Sequence, residues 1–515
     1  RDVHPPFPRR QSNSTNIPTQ IYTFKNIRFG APATGDLRWA PPQKPAVNNT
    51  IQDGKYGPSC PQTAMPGFPG DPNTVANLVW GGASEDCLFL NLYVPGKALK
   101  DPSTKLPVIV SLYGGAYVLG SKEMNDGLGL LHQSGNSAIV VIGNYRIGPL
   151  GFLTGATMEK EATPNVGLHD QIAVFEWVQK YSNLFGGNKE DVSAWGESAG
   201  GGSIYLHLIL EGGKRDPLFK KAVIQSPAVN QLFDRRGTLE DTYKRFESLL
   251  GCTGKGVACL RKVPLAKINE VGGKMNKETA AATFAFGPQP DGKLIRQLPA
   301  LEYASGNVWK GLQSVISSHT SDEGKMFVEK TINNPAAFDT WMRKLYPKSV
   351  IDAGWPAKIT KMYPDTPKSS DRFKDYVRDN IFSCNARWIA EAYPGKTYAM
   401  QYSAGGGTHG ADIDPTYYNG PKSFLGVTAS SENQMYRTYQ SYLISHAKTG
   451  NPNTSKKVAA LEWPPVNAGS ELAFPVLDVA DKTFSLVKDS QNSKSRCDFL
   501  RAFWKETSEA AGYKL

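Results

Sequence analysis

The stretch 194-AWGESAGGGS-203 sets Ser198 between Gly196 and Gly200, a G-x-S-x-G pentad. A serine on a tight strand-to-helix turn does acyl-transfer chemistry when a base takes its proton. The bland alternative is a glycine-rich turn with no chemistry, since so short a pattern also arises by chance. A nucleophilic serine needs a histidine, and the histidine needs an orienting carboxylate. With such an elbow the chain order is serine, acid, histidine. Of the seven histidines, His409 and His446 lie well beyond residue 320. His446 falls in 436-YRTYQSYLISHAKTG-450, an amphipathic helical pattern that points to packing. His409 follows a glycine run in 405-GGGTHGADI-413, the place of a loop histidine above a sheet. For the acid, Asp322 and Glu323 compete as neighbours in 320-TSDEGKMF-327, and the residues alone leave both open. The remaining requirement is a set of donors for an oxyanion. In 113-YGGAYVLG-120 the glycines free backbone N–H groups from sheet pairing; a plain turn would read the same.

These residues need a frame. Apolar runs 106–113 and 138–145 read as buried strands, with further short strands at 191–196, 221–226, 312–318 and 396–403. Leu168, Ile172, Phe175 and Val178 recur at helical spacing within 165–184, and 199–210 reads as a second helix. Ser198 thus falls between a strand and a helix. Alternation of strands and helices predicts an α/β chain with a mostly parallel sheet covered on both faces. Residues 240–380 should add helices over the sheet's upper edge. The Pro-, Ser- and Asn-rich start, residues 1–23, is expected to be a flexible arm, and 24–515 a single catalytic domain.

Composition narrows the class. The 515 residues are 40% hydrophobic and carry a net charge of +11, but Lys and Arg are scattered instead of gathered into stripes, which argues against nucleic acid. No apolar run reaches the roughly 18 residues of a transmembrane helix. The chain starts at Arg1 without an initiator Met, as a mature or trimmed product would. Six cysteines contain no C-x-x-C, so no metal is expected, and their even number fits three disulfides. Sequons at Asn13, Asn48 and Asn453, with those cysteines, favour a secreted glycoprotein.

Further motifs run along the chain: 37-LRWAPPQ-43, 84-SEDCLFLNLYVP-95, 144-NYRIGPLGFL-153, 165-NVGLHDQ-171 and 185-FGGNKEDVSAWGESAGG-201, then 225-QSP-227, 290-PDG-292, 321-SDEG-324 and 496-RCDFLRAFW-504. Taken in order, they resemble the type-B carboxylesterase/lipase family, the cholinesterase-like branch of the α/β hydrolases, over about residues 24–505. The resemblance implies an α/β-hydrolase fold and, from likeness to fungal lipases, a secreted fungal member. It implies Ser198 as nucleophile, Glu323 as acid and His409 as base. It implies an oxyanion hole from the N–H groups of Gly115, Ala116 and Ala199. It gives Glu197, next to the serine, an electrostatic part, where composition alone would make it a helix-start acid. It also implies the disulfides Cys60–Cys87, Cys252–Cys259 and Cys384–Cys497.

Three departures stand out. The stretch Y-G-G-A has Ala116 where many members have a third glycine. The family's N-terminal hairpin is not recognisable before residue 24, which leaves the sheet edge open. The choline-binding aromatic has no match, since Trp80 is offset and the corresponding residue is Asn77. The loop 61–86 is polar and proline-rich, unlike an interfacial lipase lid. The expected function is a secreted, cofactor-free serine hydrolase of small-molecule carboxylic esters. The alternatives are a true lipase or sterol esterase acting on lipid esters, and a non-catalytic adhesion protein on the same fold.

Overall fold

Successive side chains of the central strands alternate between two apolar layers, which is how a doubly covered sheet is built. In β3 (Leu106–Leu112), Val108, Val110 and Leu112 face one layer and Ile109 the other. In β4 (Ile139–Gly143), Ile139 and Val141 face the first layer and Val140 and Ile142 the second. Such strands carry no polar face, so they read in sequence as unbroken apolar runs. The computed structural model describes residues 20–50, 52, 54, 57–65, 72–73, 76, 81–229, 237–364, 370–420, 433–456, 461–467, 475–481, 483–489 and 491–510.

The other strands are β1 (Ile21–Arg28), β2 (Phe89–Pro95), β5 (Gly187–Glu197), β6 (Lys221–Gln225), β7 (Ser314–Thr320), β8 (Thr397–Tyr402), β9 (Pro475–Val479) and β10 (Phe484–Lys488). The ten form one sheet in the order β1-β2-β4-β3-β5-β6-β7-β8-β9-β10. Pairing is parallel from β4 to β9 and antiparallel at the two margins.

Helices α1 (Val166–Tyr181), α2 (Ala199–His207), α3 (Thr238–Leu249), α4 (Leu265–Lys277), α5 (Pro335–Leu345), α6 (Ser370–Arg378), α7 (Cys384–Ala392), α8 (Gln434–Thr449) and α9 (Lys494–Ala510) flank the sheet. The expected strands and the helices at 165–184 and 199–210 are present with shifts of a few residues. Four of the labelled helices, α3 to α6, lie between 238 and 378, close to the helical stretch expected at 240–380.

The N-terminal boundary needs correction. Residues 21–23, expected in the arm, pair with 93–95 as the start of β1 and close the sheet edge. The strand was hard to see because only Ile21 and Phe24 are buried, and a bulge falls between Phe24 and Ile27. Asn13, Asn77 and Trp80 lie outside the described residues, as does much of the loop 61–86.

The quoted motifs prove to be one another's partners. Arg38 makes two 2.7 Å bonds to Glu85, joining 37–43 to 84–95. Arg146 binds Asp170 through two 2.8 Å bonds, joining 144–153 to 165–171, and both residues are buried. Asn165 Nδ2 lies 2.8 Å from Asp291 Oδ2, which brings in 290–292. Removing one member of the Arg146–Asp170 pair would leave an uncompensated buried charge.

All three implied disulfides are formed, Cys60–Cys87, Cys252–Cys259 and Cys384–Cys497. The last links α7 to α9 across 113 residues, a long loop whose closure restricts the unfolded chain by about 4.7 kcal/mol in the chain-entropy account. Asn48 is exposed, and its Oδ1 accepts from the Thr50 N–H. Asn453 is tied down instead, with both ends of its amide bonded to the backbone of Trp463. Among the described residues no helix is long and apolar enough to cross a membrane.

Candidate active site

β5 delivers Glu197, and α2 begins at Ala199. Ser198, between them, adopts φ 55° and ψ −124°, a conformation that a non-glycine residue holds only under constraint. The constraint comes from both sides. The Ser198 N–H donates to the Gln225 carbonyl at 3.0 Å, and its carbonyl accepts from Gly202 and Ala228 at 2.8 and 3.0 Å. A Cβ at Gly200 would stand 2.1 Å from the Leu112 carbonyl oxygen, and one at Gly196 would stand 2.4 Å from the carbonyl carbon of Gly200. Those two glycines are therefore demanded by backbone crossing backbone, as the pentad suggested.

The turn after β7 carries Glu323, fully buried, and the loop after β8 carries His409. Glu323 Oε2 lies 2.6 Å from His409 Nδ1, and His409 Nε2 lies 2.8 Å from Ser198 Oγ. The other carboxylate oxygen, Oε1, accepts from the Ser226 hydroxyl at 2.5 Å and the Thr320 N–H at 2.8 Å. A carboxylate at Nδ1 favours the proton there, which leaves the Nε2 lone pair facing the serine hydroxyl. The order serine, acid, histidine is thus realised in space. Asp322 turns outward, toward Lys374 at 3.4 Å and Lys325 at 3.9 Å. His446 is buried with Nε2 against the Ser314 hydroxyl at 2.8 Å, and burial, aided by Lys221, pushes it down to about 3.

Charge in this pocket is dense. Burial opposes ionisation of Glu323, but the His409 charge and the hydrogen bonds from His409, Ser226 and Thr320 hold it below its ordinary range. Burial likewise opposes a charged His409, yet the carboxylates of Glu197 and Glu323 raise its basicity. Glu197 Oε1 is 3.5 Å from His409 Nε2 and has no hydrogen-bond partner among the described residues. Burial pushes this carboxyl up, against the pull of His409. Sequence reasoning missed Asp412, three residues past the histidine, whose buried carboxylate takes a 2.7 Å bond from Gln225. Burial, then the Glu323 charge, raises it to about 6.

The turn after β3 crosses in front of the serine, since a Cβ at Gly114 would lie 3.0 Å from Ser198 Cβ. Gly115, Ala116 and Tyr117 have φ of 115°, 56° and 60°, so three consecutive residues are left-handed. Bonds from Val118 and Leu119 to the Gly115 carbonyl, and from Gly148 to that of Tyr117, hold the shape. The backbone N–H groups of Gly115, Ala116 and Ala199 find no protein acceptor among the described residues. Ala116 keeps the amide that a third glycine would supply.

The cavity beside Ser198 is lined mainly by Ala116, Tyr117, Phe284, Phe286, Phe327 and Phe382. Phe382 belongs to a π-helical turn, Asp379–Ser383, inserted between α6 and α7, and its ring centroid is 4.5 Å from that of His409. The extra residue of a π turn re-aims side chains, and such turns collect at functional sites. No sequence pattern announces it.

The whole chain resembles proteins of known activity. A secreted lipase of Arthroderma benhamiae is 39% identical over 485 residues, covering 90% of this chain and 92% of that protein. Carboxylesterase patB of Aspergillus clavatus is 29% identical, over 96% of this chain and 94% of its own. The crystal structure of Aspergillus niger EstA superposes with a TM-score of 0.81 at 26% identity, covering 95% of each chain. A thermophilic pNB esterase gives 0.77 at 26% identity, covering 96% of this chain and 97% of its own. The model of the carboxylesterase family matches residues 9–499, and with that span the chain belongs to the carboxylesterase family.

Proposed function

We propose that this carboxylic-ester hydrolase works through Ser198, His409 and Glu323, in an acyl-enzyme mechanism. The observation that carries the assignment is the unbroken contact Ser198–His409–Glu323 at 2.8 and 2.6 Å. His409 Nε2 takes the hydroxyl proton as Ser198 Oγ attacks the ester carbonyl. The N–H groups of Gly115, Ala116 and Ala199 receive the oxyanion, and each such donor is worth roughly 100- to 1000-fold in rate. His409 then protonates the leaving alkoxide, and water attacks the acyl-enzyme with the same histidine as base. Glu323 keeps Nδ1 protonated and stabilises the imidazolium.

Glu197 tunes the base in this reading. His409 must be neutral to accept a proton, and nearby carboxylates raise its pKa. Activity therefore rises with pH through a limb set above the ordinary histidine range. Glu197→Gln removes one of the raising charges, so the acidic limb of kcat/KM should move to lower pH. An unchanged limb, measured on a soluble p-nitrophenyl ester, would remove Glu197 from this role.

The substrates we infer are esters of short to medium acyl chains, because the cavity at the serine is narrow and walled by aromatic rings. A second reading, lipid esters, is favoured by one observation. An adjoining apolar cavity, lined by Trp341, Tyr346, Tyr376 and Trp504 among others, shares Ala282, Phe284 and Ile381 with the first. Export with an N-glycan on the exposed Asn48 is part of this proposal, supported by three disulfides and by relatives named secreted lipases. One experiment addresses the set. Protein recovered from culture medium, with Asn48 glycosylated, should hydrolyse p-nitrophenyl acetate through octanoate and show no jump in rate when substrate forms an interface. A preference for palmitate with interfacial activation would favour the lipid reading; protein retained in the cell would remove export.

A further inference from the structure

β7 ends on a buried charged pair that does not touch the reacting atoms. His319 is the penultimate residue of β7, and Asp489 follows β10 on the way to α9; both are buried. The ring's Nδ1 lies 2.9 Å from the Thr320 carbonyl oxygen, and its Nε2 lies 2.8 Å from Asp489 Oδ2. A carbonyl only accepts, so Nδ1 carries a proton. Asp489 Oδ1 accepts from the N–H groups of Gln491 and Asn492, both at 3.0 Å, so that carboxylate is also arranged as an acceptor. With acceptors at both nitrogens, the ring satisfies its surroundings as an imidazolium. Burial works against that charge, and Asp489 more than restores it. Asp489 is held low in turn, with burial opposing and His319 prevailing. Among the described residues Glu323 is a further charge acting on the ring, and the neighbouring strand β8 opposes His319 with the neutral Gln401.

Thr320 joins this pair to the reacting groups. Its carbonyl accepts a hydrogen bond from His319 Nδ1–H, and its N–H donates to Glu323 Oε1 at 2.8 Å. Asp489, His319, Thr320, Glu323, His409 and Ser198 therefore form one hydrogen-bonded chain with every link between 2.6 and 2.9 Å.

We propose that the His319–Asp489 ion pair is a positioning device for the catalytic acid: it pins the Thr320 peptide groups and so fixes where Glu323 meets His409. The proposal rests on the assignment of Glu323 as the orienting acid. His319 and Asp489 make no hydrogen bond to Ser198, His409 or Glu323, and their hydrogen-bonded path to Glu323 runs through Thr320. Because the clamp depends on a protonated ring, activity has an alkaline limb that belongs to His319.

Two variants and one direct observation test it, with rates normalised to Ser198 titrated by an organophosphonate. His319→Gln should lower kcat by roughly 10- to 100-fold, by analogy with the loss of outer groups that orient metal-ligating side chains, with KM unchanged. Asp489→Asn keeps every hydrogen bond, since its carbonyl takes the Gln491 and Asn492 N–H groups and its amide donates to a neutral Nε2. It removes the charge, and with it the alkaline limb. In wild-type protein with 15N-labelled histidine, the His319 signals, identified by their loss in His319→Gln, should report two ring protons at pH 7. Equal kcat per titrated site with both limbs unmoved, or a singly protonated ring, would overturn the proposal. If His319→Gln fails to fold, the isosteric Asp489→Asn still decides. Wild-type enzyme that takes no phosphonate on Ser198 would indict the triad itself, a different failure.

Discussion

Ser198→Ala should lower kcat for p-nitrophenyl esters by about 10⁶-fold, the scale found when a hydrolase loses its nucleophile. The substitution deletes the Oγ that lies 2.8 Å from His409 Nε2. It leaves the elbow standing, because the φ of 55° is held by backbone bonds to Gln225, Gly202 and Ala228 and not by the hydroxyl. The circular dichroism spectrum and melting temperature should therefore remain close to wild type. Residual turnover would come from the oxyanion donors and substrate binding alone. A variant that kept even a tenth of wild-type kcat would remove Ser198 from the chemistry.

Glu323→Gln should cost about 10⁴-fold in kcat, and the reason is a proton placed on the wrong nitrogen. Oε1 of Glu323 sits between two donors, the Ser226 hydroxyl and the Thr320 N–H. A glutamine there turns its carbonyl toward those donors, so its amide nitrogen faces His409 Nδ1. That nitrogen must then accept, the ring proton moves to Nε2, and Nε2 no longer receives the proton of Ser198. Burial sharpens the effect, because Glu323 has no exposure to bulk solvent. The expected signature is a fall in kcat with KM little changed, while melting temperature moves by only a few degrees. Asp322→Asn is the matched control, since Asp322 pairs outward with Lys374 and Lys325. It should leave the rate near wild type; a large loss there with a small loss at Glu323 would exchange the two assignments.

How much of this could be read from residues alone differed by element. The elbow was legible because its glycines are close in sequence: Gly196 and Gly200 lie within two residues of Ser198, and each is required by a close approach of backbone, to Gly200 and to Leu112 respectively. The central strands were legible because burial on both faces leaves continuous apolar runs. The acid was legible only to within one position. Asp322 and Glu323 are adjacent in sequence, yet one points to surface lysines and the other into the site, and that divergence is decided by the turn after β7. Asp412, Ser226 and Phe382 escaped, because each acquires its part from contacts across the fold. Phe382 in particular depends on a π-helical turn, whose one-residue insertion leaves no periodic trace. The edge strands β1 and β10 escaped for another reason, since most of their residues stay partly exposed and carry no apolar run.

The buried network also explains why the resemblance motifs are spaced along so much of the chain. Arg38 with Glu85, Arg146 with Asp170, and Asn165 with Asp291 tie distant segments to one another. Their chemistry is structural.

The central claim is that Ser198 is the residue that takes the acyl group. It is tested most directly by reacting the active protein with a fluorophosphonate ester and mapping the adduct by peptide mass spectrometry. The account predicts one phosphonate per chain, on Ser198, with activity lost in step with labelling. Complete inactivation with the label on another residue, or full activity with Ser198 fully labelled, would contradict it.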